Sequence, residues 1–138
     1  ALTPKLGVAA VDSSLVSRDP EVVKTYDQDP LVHHGKLPAR TVAEIAAAIS
    51  TFPEGVGSIT IPTLILYAAA DGLVPPSGSV MISERIGSQD KTVIPYEGLY
   101  HEIFNEPEQD RVLDDTCEWV RARVGAPSPS PQAQTGSR

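Results

Sequence analysis

The chain carries a single cysteine, Cys117, which excludes an internal disulfide framework and a zinc cage built mainly from thiolates. No apolar run approaches the roughly 18–20 residues that a membrane-spanning helix needs, and no signal-peptide pattern opens the chain. Cations are scarce: eleven Lys and Arg stand against eighteen Asp and Glu, for a formal charge of −7, and they are not clustered. Phosphate binding needs clustered cations, so this balance argues against nucleic acid as a partner, and it offers no basic face to anionic lipid. A cytoplasmic or peripherally membrane-associated location is the resulting expectation. No internal repeat is present. What the sequence does have is 138 residues, 41% of them hydrophobic, which suits one domain with a buried core. It starts at Ala1 rather than Met, which raises the expectation of a processed chain or a piece of a longer one.

Helical and extended patterns alternate along it. Asp19-Pro20 has the form of an N-cap followed by Pro at the first helical position, predicting a short helix through about Tyr26 that breaks at Asp29-Pro30. Thr41-Val-Ala-Glu44 fits a capping box, with Val42, Ile45, Ile49 and Phe52 following at helical spacing until Pro53, Gly55 and Gly57. Thr63 to Tyr67 (TLILY) is a short continuous apolar run after Pro62, the pattern of a strand buried on both faces in a parallel sheet. A helix is predicted from about Ser77 to Ile86, with Gly87 as its stop. A second strand is predicted over Lys91 to Tyr96, confined to a sheet edge by Pro95. The final helix is expected to start near Asn105-Glu106-Pro107, with Leu113, Cys117, Val120 and Val124 on its apolar face and Asp110, Asp114 and Glu118 toward water. Gly125 to Arg138 has no large apolar residue and reads as a disordered tail.

Strand, helix, strand, helix over residues 62–124 is the rhythm of βα units. The first fifty residues are expected to supply helix and loop but no further strands. Two strands are too few to shield a parallel sheet, so the sheet is expected to be incomplete and the chain to be the end of a larger α/β protein.

In open α/β sheets, functional groups gather beyond the carboxyl ends of strands. Asp71 and His101 each lie a few residues past a predicted strand end, about thirty residues apart. If the strands are neighbours, the two loops meet on one edge of the sheet. A carboxylate that accepts the Nδ1 proton of an imidazole fixes its tautomer and leaves Nε2 as a general base. The order Asp then His suits the later part of a Ser…Asp…His triad. The alternative is an Asp that caps a turn, since Asp-Gly is a common turn pair, and a His on a surface loop.

At these positions a family resemblance becomes specific. Val11-Asp-Ser-Ser-Leu-Val-Ser-Arg-Asp19, Asp29-Pro-Leu-Val32, Ala70-Asp-Gly-Leu-Val74, Ser88-Gln-Asp-Lys-Thr92 and Tyr96-Glu-Gly-Leu-Tyr-His101 resemble the second half of the monoacylglycerol lipases. These are lysophospholipase-like serine hydrolases of the α/β-hydrolase superfamily, and the resemblance covers roughly residues 11–124. It implies that Asp71 orients a catalytic His101, that residues 1–57 are part of a helical cap over a lipid-binding pocket, and that residues 58–124 are the C-terminal part of the core. It implies no metal and no organic cofactor. The sequence departs from the family pattern in two ways. Gly72 stands where the family usually has Arg, and no Gly-x-Ser-x-Gly nucleophile elbow exists, since Gly57-Ser58 and Gly78-Ser79 lack its flanking spacing. The His-Gly loop that helps form the family's oxyanion hole is also absent. A His–Asp pair without nucleophile or oxyanion donors cannot run acyl transfer. The expectation is therefore a chain inactive alone, whose partner is the N-terminal half carrying the serine and whose substrate is a monoacylglycerol or related lipid ester. The alternatives are a non-catalytic remnant or interaction module, or part of another α/β-hydrolase such as an epoxide hydrolase or dehalogenase.

Other residues receive plainer expectations. His33-His34 has no third ligand at useful spacing and reads as a loop pair. Cys117 reads as a buried structural thiol and Trp119 as a packing or flanking residue. Glu102, Glu106, Glu108 and Asp110 read as a solvated helix start, with Glu102 placed to tune the candidate base. Val22, Val23, Leu31, Ile45, Ile49 and Phe52 are candidates for an apolar pocket wall or the inside of the cap.

Overall fold

A computed structural model describes residues 3–125, and beyond Gly125 the expected tail lies outside them. The chain runs β1 (Gly7–Ala9), α1 (Pro20–Gln28), β2 (Leu37–Pro38), α2 (Ala39–Ser50), α3 (Phe52–Gly55), β3 (Thr63–Ala68), α4 (Ser77–Arg85), β4 (Lys91–Tyr96) and α5 (Gln109–Val124). The element that positions the site is the parallel pair β3–β4, in register from Thr63 opposite Lys91 to Ala68 opposite Tyr96. Among the described residues no third strand joins it. Contrary to expectation, the first fifty residues do contribute strand: β1 and β2 form a small antiparallel ribbon, separate from the parallel pair.

Local chemistry explains most element boundaries. Asp19 caps α1 by accepting from the Glu21 amide at 2.9 Å, with Pro20 at the first helical position as predicted. The Thr41–Glu44 capping box does not form. α2 begins three residues earlier, at Ala39, because its first free amides already have acceptors in the chain beside them: Ala39 donates to Leu6 O and Arg40 to Pro4 O. α2 also stops at Ser50, so Phe52 and Pro53 belong to the separate turn α3. Gly87 does not end α4 by a left-handed turn, since among the described residues only Gly98 and Gly125 have positive φ. It is needed for space instead: a Cβ there would stand 2.2 Å from the Gly57 carbonyl oxygen.

The core is Ala68, Tyr96, Leu99, Ile103 and Val112, flanked by Leu66 and Ile94. β4 alternates, its Thr92, Ile94 and Tyr96 covered while Lys91, Val93 and Pro95 are exposed. The Thr63–Tyr67 run is half-buried rather than buried on both faces, as a sheet only two strands wide dictates. α5 crosses β4 in the opposite direction on three polar contacts. Asp115 accepts from the Tyr96 hydroxyl at 2.8 Å, the Trp119 indole donates to Thr92 Oγ1 at 3.1 Å, and Arg123 pairs with Asp90 while lying 3.8 Å over the Trp119 ring. Asp110, Asp114 and Glu118 face water as expected, but the expected apolar face is not the covered one. Val112, Asp115, Thr116 and Trp119 are the covered positions, whereas Leu113, Cys117, Val120 and Val124 are exposed. Polar side chains with partners on β4 outweigh the apolar stripe, and Cys117 is not a buried thiol.

Burial and the Asp115 carboxylate push the Tyr96 phenol up to about 12, against a smaller opposing pull from Arg111. A folded value above the unfolded value of roughly 10 means a contribution that is intact below pH ~10 and is lost as pH rises toward the folded value. Urea midpoints measured against pH should therefore fall across this alkaline window in the native chain. Tyr96→Phe should flatten that slope and cost about 1 kcal/mol at neutral pH through the missing hydrogen bond. An alkaline slope unchanged in the variant would assign the loss to another group.

Candidate active site

Parallel pairing brings the loops after β3 and β4 out on the same edge, and one hydrogen bond joins them: His101 Nδ1 donates to Asp71 Oδ2 at 2.8 Å. Both carboxylate oxygens of Asp71 are engaged. Its Oδ1 accepts from the amides of Leu73 and Val74, each at 2.8 Å, which closes the turn after β3 and aims Oδ2 at the imidazole. Partial burial pushes the Asp71 carboxyl up, but the Val74 and Leu73 amides and His101 outweigh it and hold the group below the usual carboxylate range. Asp71 is therefore ionised at neutral pH. The turn reading and the acid–base geometry coexist on the two oxygens of one side chain. Gly72 leaves room for Leu15, whose methyls would lie 3.2 Å from an added Cβ.

The His101 side chain is 39% exposed against 11% for Asp71, so the imidazole faces outward with its orienting carboxylate beneath it. The other ring nitrogen, Nε2, makes no hydrogen bond among the described residues. Such a pair can accept a proton at Nε2 and stabilise the imidazolium that results. The loop carrying it leaves β4 through Gly98 at φ +76°, a left-handed position that suits glycine, and is anchored by buried Leu99.

Of the acidic cluster, Glu108 and Asp110 are exposed at the start of α5 as expected, but Glu106 is buried. Glu106 is 1% exposed, and it accepts from the Arg18 amide and Arg18 Nε, both at 2.6 Å, and from the Tyr100 amide at 3.2 Å. Arg18 also pairs with Glu108. Burial pushes the Glu106 carboxyl up, yet the Arg18 guanidinium, the Ser17 hydroxyl and the Arg18 and Tyr100 amides together hold it below its ordinary value. This contact joins residues 88 apart, and no local spacing signals it. The only trace in the sequence is that Arg18 stands within one of the family-like stretches. The Glu102 carboxylate makes no hydrogen bond to His101 among the described residues; it accepts from Asn105 Nδ2 at 2.7 Å.

The remaining candidates are dispersed. A cleft of about 460 Å³ beside the His101 loop is lined by Glu21, Val22, Thr25, Tyr26, Asn105 and Glu102, among others, so Val22 alone of the proposed wall residues faces it. Phe52 lines a separate apolar hollow with Val56, Ile59 and Ile82. Ile45 and Ile49 are exposed, and Leu31 is 93% exposed. His34 stands T-shaped to the Tyr26 ring and bonds the Asp29 carbonyl, and both His33 and His34 are exposed. Among the described residues no three His, Cys, Asp or Glu side chains converge as metal ligands, and no helix is long and apolar enough to cross a membrane.

Residues 1–108 match a family model described as serine aminopeptidase, S33. The monoacylglycerol lipase of Mycolicibacterium smegmatis is 44% identical over 119 residues, which is 86% of this chain and 42% of that protein. The human monoglyceride lipase is 34% identical over 88% of this chain and 41% of its own length. Caffeoylshikimate esterase of Arabidopsis thaliana is 33% identical over 84% of this chain and 37% of its own length. Among solved structures, the monoacylglycerol lipase of Paleococcus ferrophilus superposes with a TM-score of 0.73 at 33% identity, covering 88% of this chain and 48% of that one. The chain thus spans less than half the length of each of these proteins.

Proposed function

The chain belongs to the serine aminopeptidase S33 family, as a monoacylglycerol lipase-like α/β-hydrolase, and we propose that it supplies the acid–base half of a serine esterase acting on fatty-acyl esters of glycerol. The observation that carries this reading is the 2.8 Å bond from His101 Nδ1 to an Asp71 carboxylate already fixed by two amides. In the proposed cycle Nε2 of His101 takes the proton of a serine hydroxyl as that oxygen attacks the ester carbonyl. It then returns the proton to the departing glycerol oxygen, and the same two steps with water release the fatty acid. Asp71 holds the tautomer and stabilises the imidazolium. Glycerol as the alcohol is suggested by the 44% identical relative, while the caffeoylshikimate esterase supports only the broader class of carboxylic esters.

The serine and the oxyanion donors are proposed to come from an N-terminal half, in the same polypeptide or as an associating chain. Residues 1–57 would then be the later part of a cap and residues 58–124 part of the core. Support for the division comes from the separate β1–β2 ribbon and from apolar Ile45, Ile49 and Phe52 left at the surface of the first segment. Reconstitution tests the proposal. This chain alone should release no fatty acid from a monoacylglycerol above the uncatalysed rate, and joined to the nucleophile-bearing half it should turn over. Activity of the isolated chain, or failure of the joined protein on every fatty-acyl ester tried, would overturn it.

A further inference from the structure

We infer that Arg18 and Glu106 are positioning residues for His101, setting where the imidazole stands relative to Asp71; the inference rests on the reading of His101 as the base. His101 is held through the amides of both neighbouring residues by the segment that leads into α1 and by Glu106. On one side the Tyr100 amide donates to Glu106 Oε2, whose carboxylate is gripped by Arg18 Nε and by the Arg18 amide. On the other side the Glu102 amide donates to the Val16 carbonyl at 2.9 Å. Ser17, 3% exposed, completes the clamp by donating to the Asn105 carbonyl at 3.0 Å and accepting from the Asp19 amide at 3.0 Å. Residues 16–18 thus form a strap across the 100–106 loop, and Glu106 is the knot.

The loop needs such a knot. It departs β4 through Gly98 in a left-handed turn, and between buried Leu99 and buried Ile103 the His101 side chain is itself exposed. The Asp71 side is fixed independently by its own turn, so the reach between imidazole and carboxylate depends on where the strap holds residues 100–102. A misplacement of about 1 Å at a reacting group lowers turnover by as much as ~10²-fold. A carboxylate buried this deeply without its guanidinium would be unpaired, so Arg18 and Glu106 act as one unit.

The test uses the nucleophile-bearing protein. Glu106→Gln keeps the size of the side chain but replaces one acceptor oxygen with a donor. It is expected to lower kcat by roughly 10- to 100-fold with KM within about twofold, and to broaden or abolish the downfield Nδ1 proton resonance of His101. Arg18→Lys, which keeps the charge, should recover most of the rate, and Arg18→Gln should not. The double variant Arg18→Met with Glu106→Leu separates positioning from folding, since it removes both charges together and leaves neither unpaired. Stability should return there only in part while kcat stays low, because the Tyr100 and Arg18 amides have both lost their acceptor. Should Glu106→Gln fail to fold, the Arg18 series and the double variant carry the same readouts. Full kcat with an intact Nδ1 signal in folded Glu106→Gln, or recovery of kcat together with stability in the double variant, would overturn the inference. His101→Ala run alongside keeps the two readings apart: wild-type rate there sinks the base assignment itself, whereas its loss beside an unaffected Glu106→Gln sinks only the positioning role.

Discussion

In the protein completed by its nucleophile, His101→Ala is expected to lower kcat by about 10⁴-fold, and Asp71→Asn by a comparable factor, with KM little changed in either. At about 1.36 kcal/mol per decade, this corresponds to roughly 5 kcal/mol of transition-state stabilisation lost from a single imidazole. The two losses differ in kind. Alanine at 101 removes the only proton acceptor in the proposed cycle. Asparagine at 71 leaves a side chain of the same shape, but its amide nitrogen presents a donor either to the Nδ1 proton or to the Leu73 and Val74 amides now bonded at 2.8 Å. The imidazole is then driven to the tautomer whose Nε2 already carries a proton and cannot accept another. Because both residues act through one imidazole, the double variant should be hardly worse than His101→Ala, whereas independent contributions would multiply. Initial rates on a monoacylglycerol for the four proteins decide between these outcomes, and full activity in His101→Ala would end the assignment.

That hydrogen bond was legible in the sequence as a conditional: each partner sits just past a predicted strand, so the two meet if the strands are neighbours, and the family resemblance favoured that pairing over a turn Asp and a surface His. TLILY reads as a strand on its continuous apolar content after Pro62 and KTVIPY as an edge strand limited by Pro95, and the structure pairs them in parallel over Thr63–Ala68 and Lys91–Tyr96. What escaped depended on partners distant in the chain. Glu106 resembles any acidic residue near a helix start until Arg18, 88 residues away, is folded against it. The face of α5 was misjudged because apolar spacing is a proxy for burial, and here Asp115 and Trp119 meet a phenol and a hydroxyl on β4 that the helix's own sequence does not reveal. The start of α2 moved for the same reason: backbone carbonyls of Pro4 and Leu6 did the work that a Thr41 side chain was expected to do.

Gly87→Ala extends this contrast between what a residue signals and what it does. Its sequence context suggests a helix stop, a role that tolerates substitution at modest cost. Its structural context is a backbone crossing: an added Cβ would lie 2.2 Å from Gly57 O, 3.2 Å from Gly57 C and 3.3 Å from Ile59 O. None of these atoms belongs to a flexible side-chain tip, so the chain entering β3 or the chain entering β4 must move. The expected cost is about 3 kcal/mol, the upper end for overpacking, seen as a lowered urea midpoint with an unchanged m value. Gly78→Ala is the matched control. It lies in the first turn of α4 with nothing within 4 Å of its added Cβ, and alanine there should be neutral or stabilise by a few tenths of a kcal/mol, up to ~1. Catalysis supplies the second half of the prediction. The Gly57–Gly87 crossing lies at the entry ends of β3 and β4, whereas Asp71 and His101 lie beyond their exit ends, roughly 20 Å away along strands that rise about 3.3 Å per residue. The folded fraction of Gly87→Ala in the nucleophile-bearing protein should therefore keep kcat within about twofold while its stability falls. Loss of kcat in proportion to stability at temperatures where the variant is fully folded would mean that the two ends of the sheet are mechanically coupled, and that His101 is held by strand geometry rather than by the strap through Glu106.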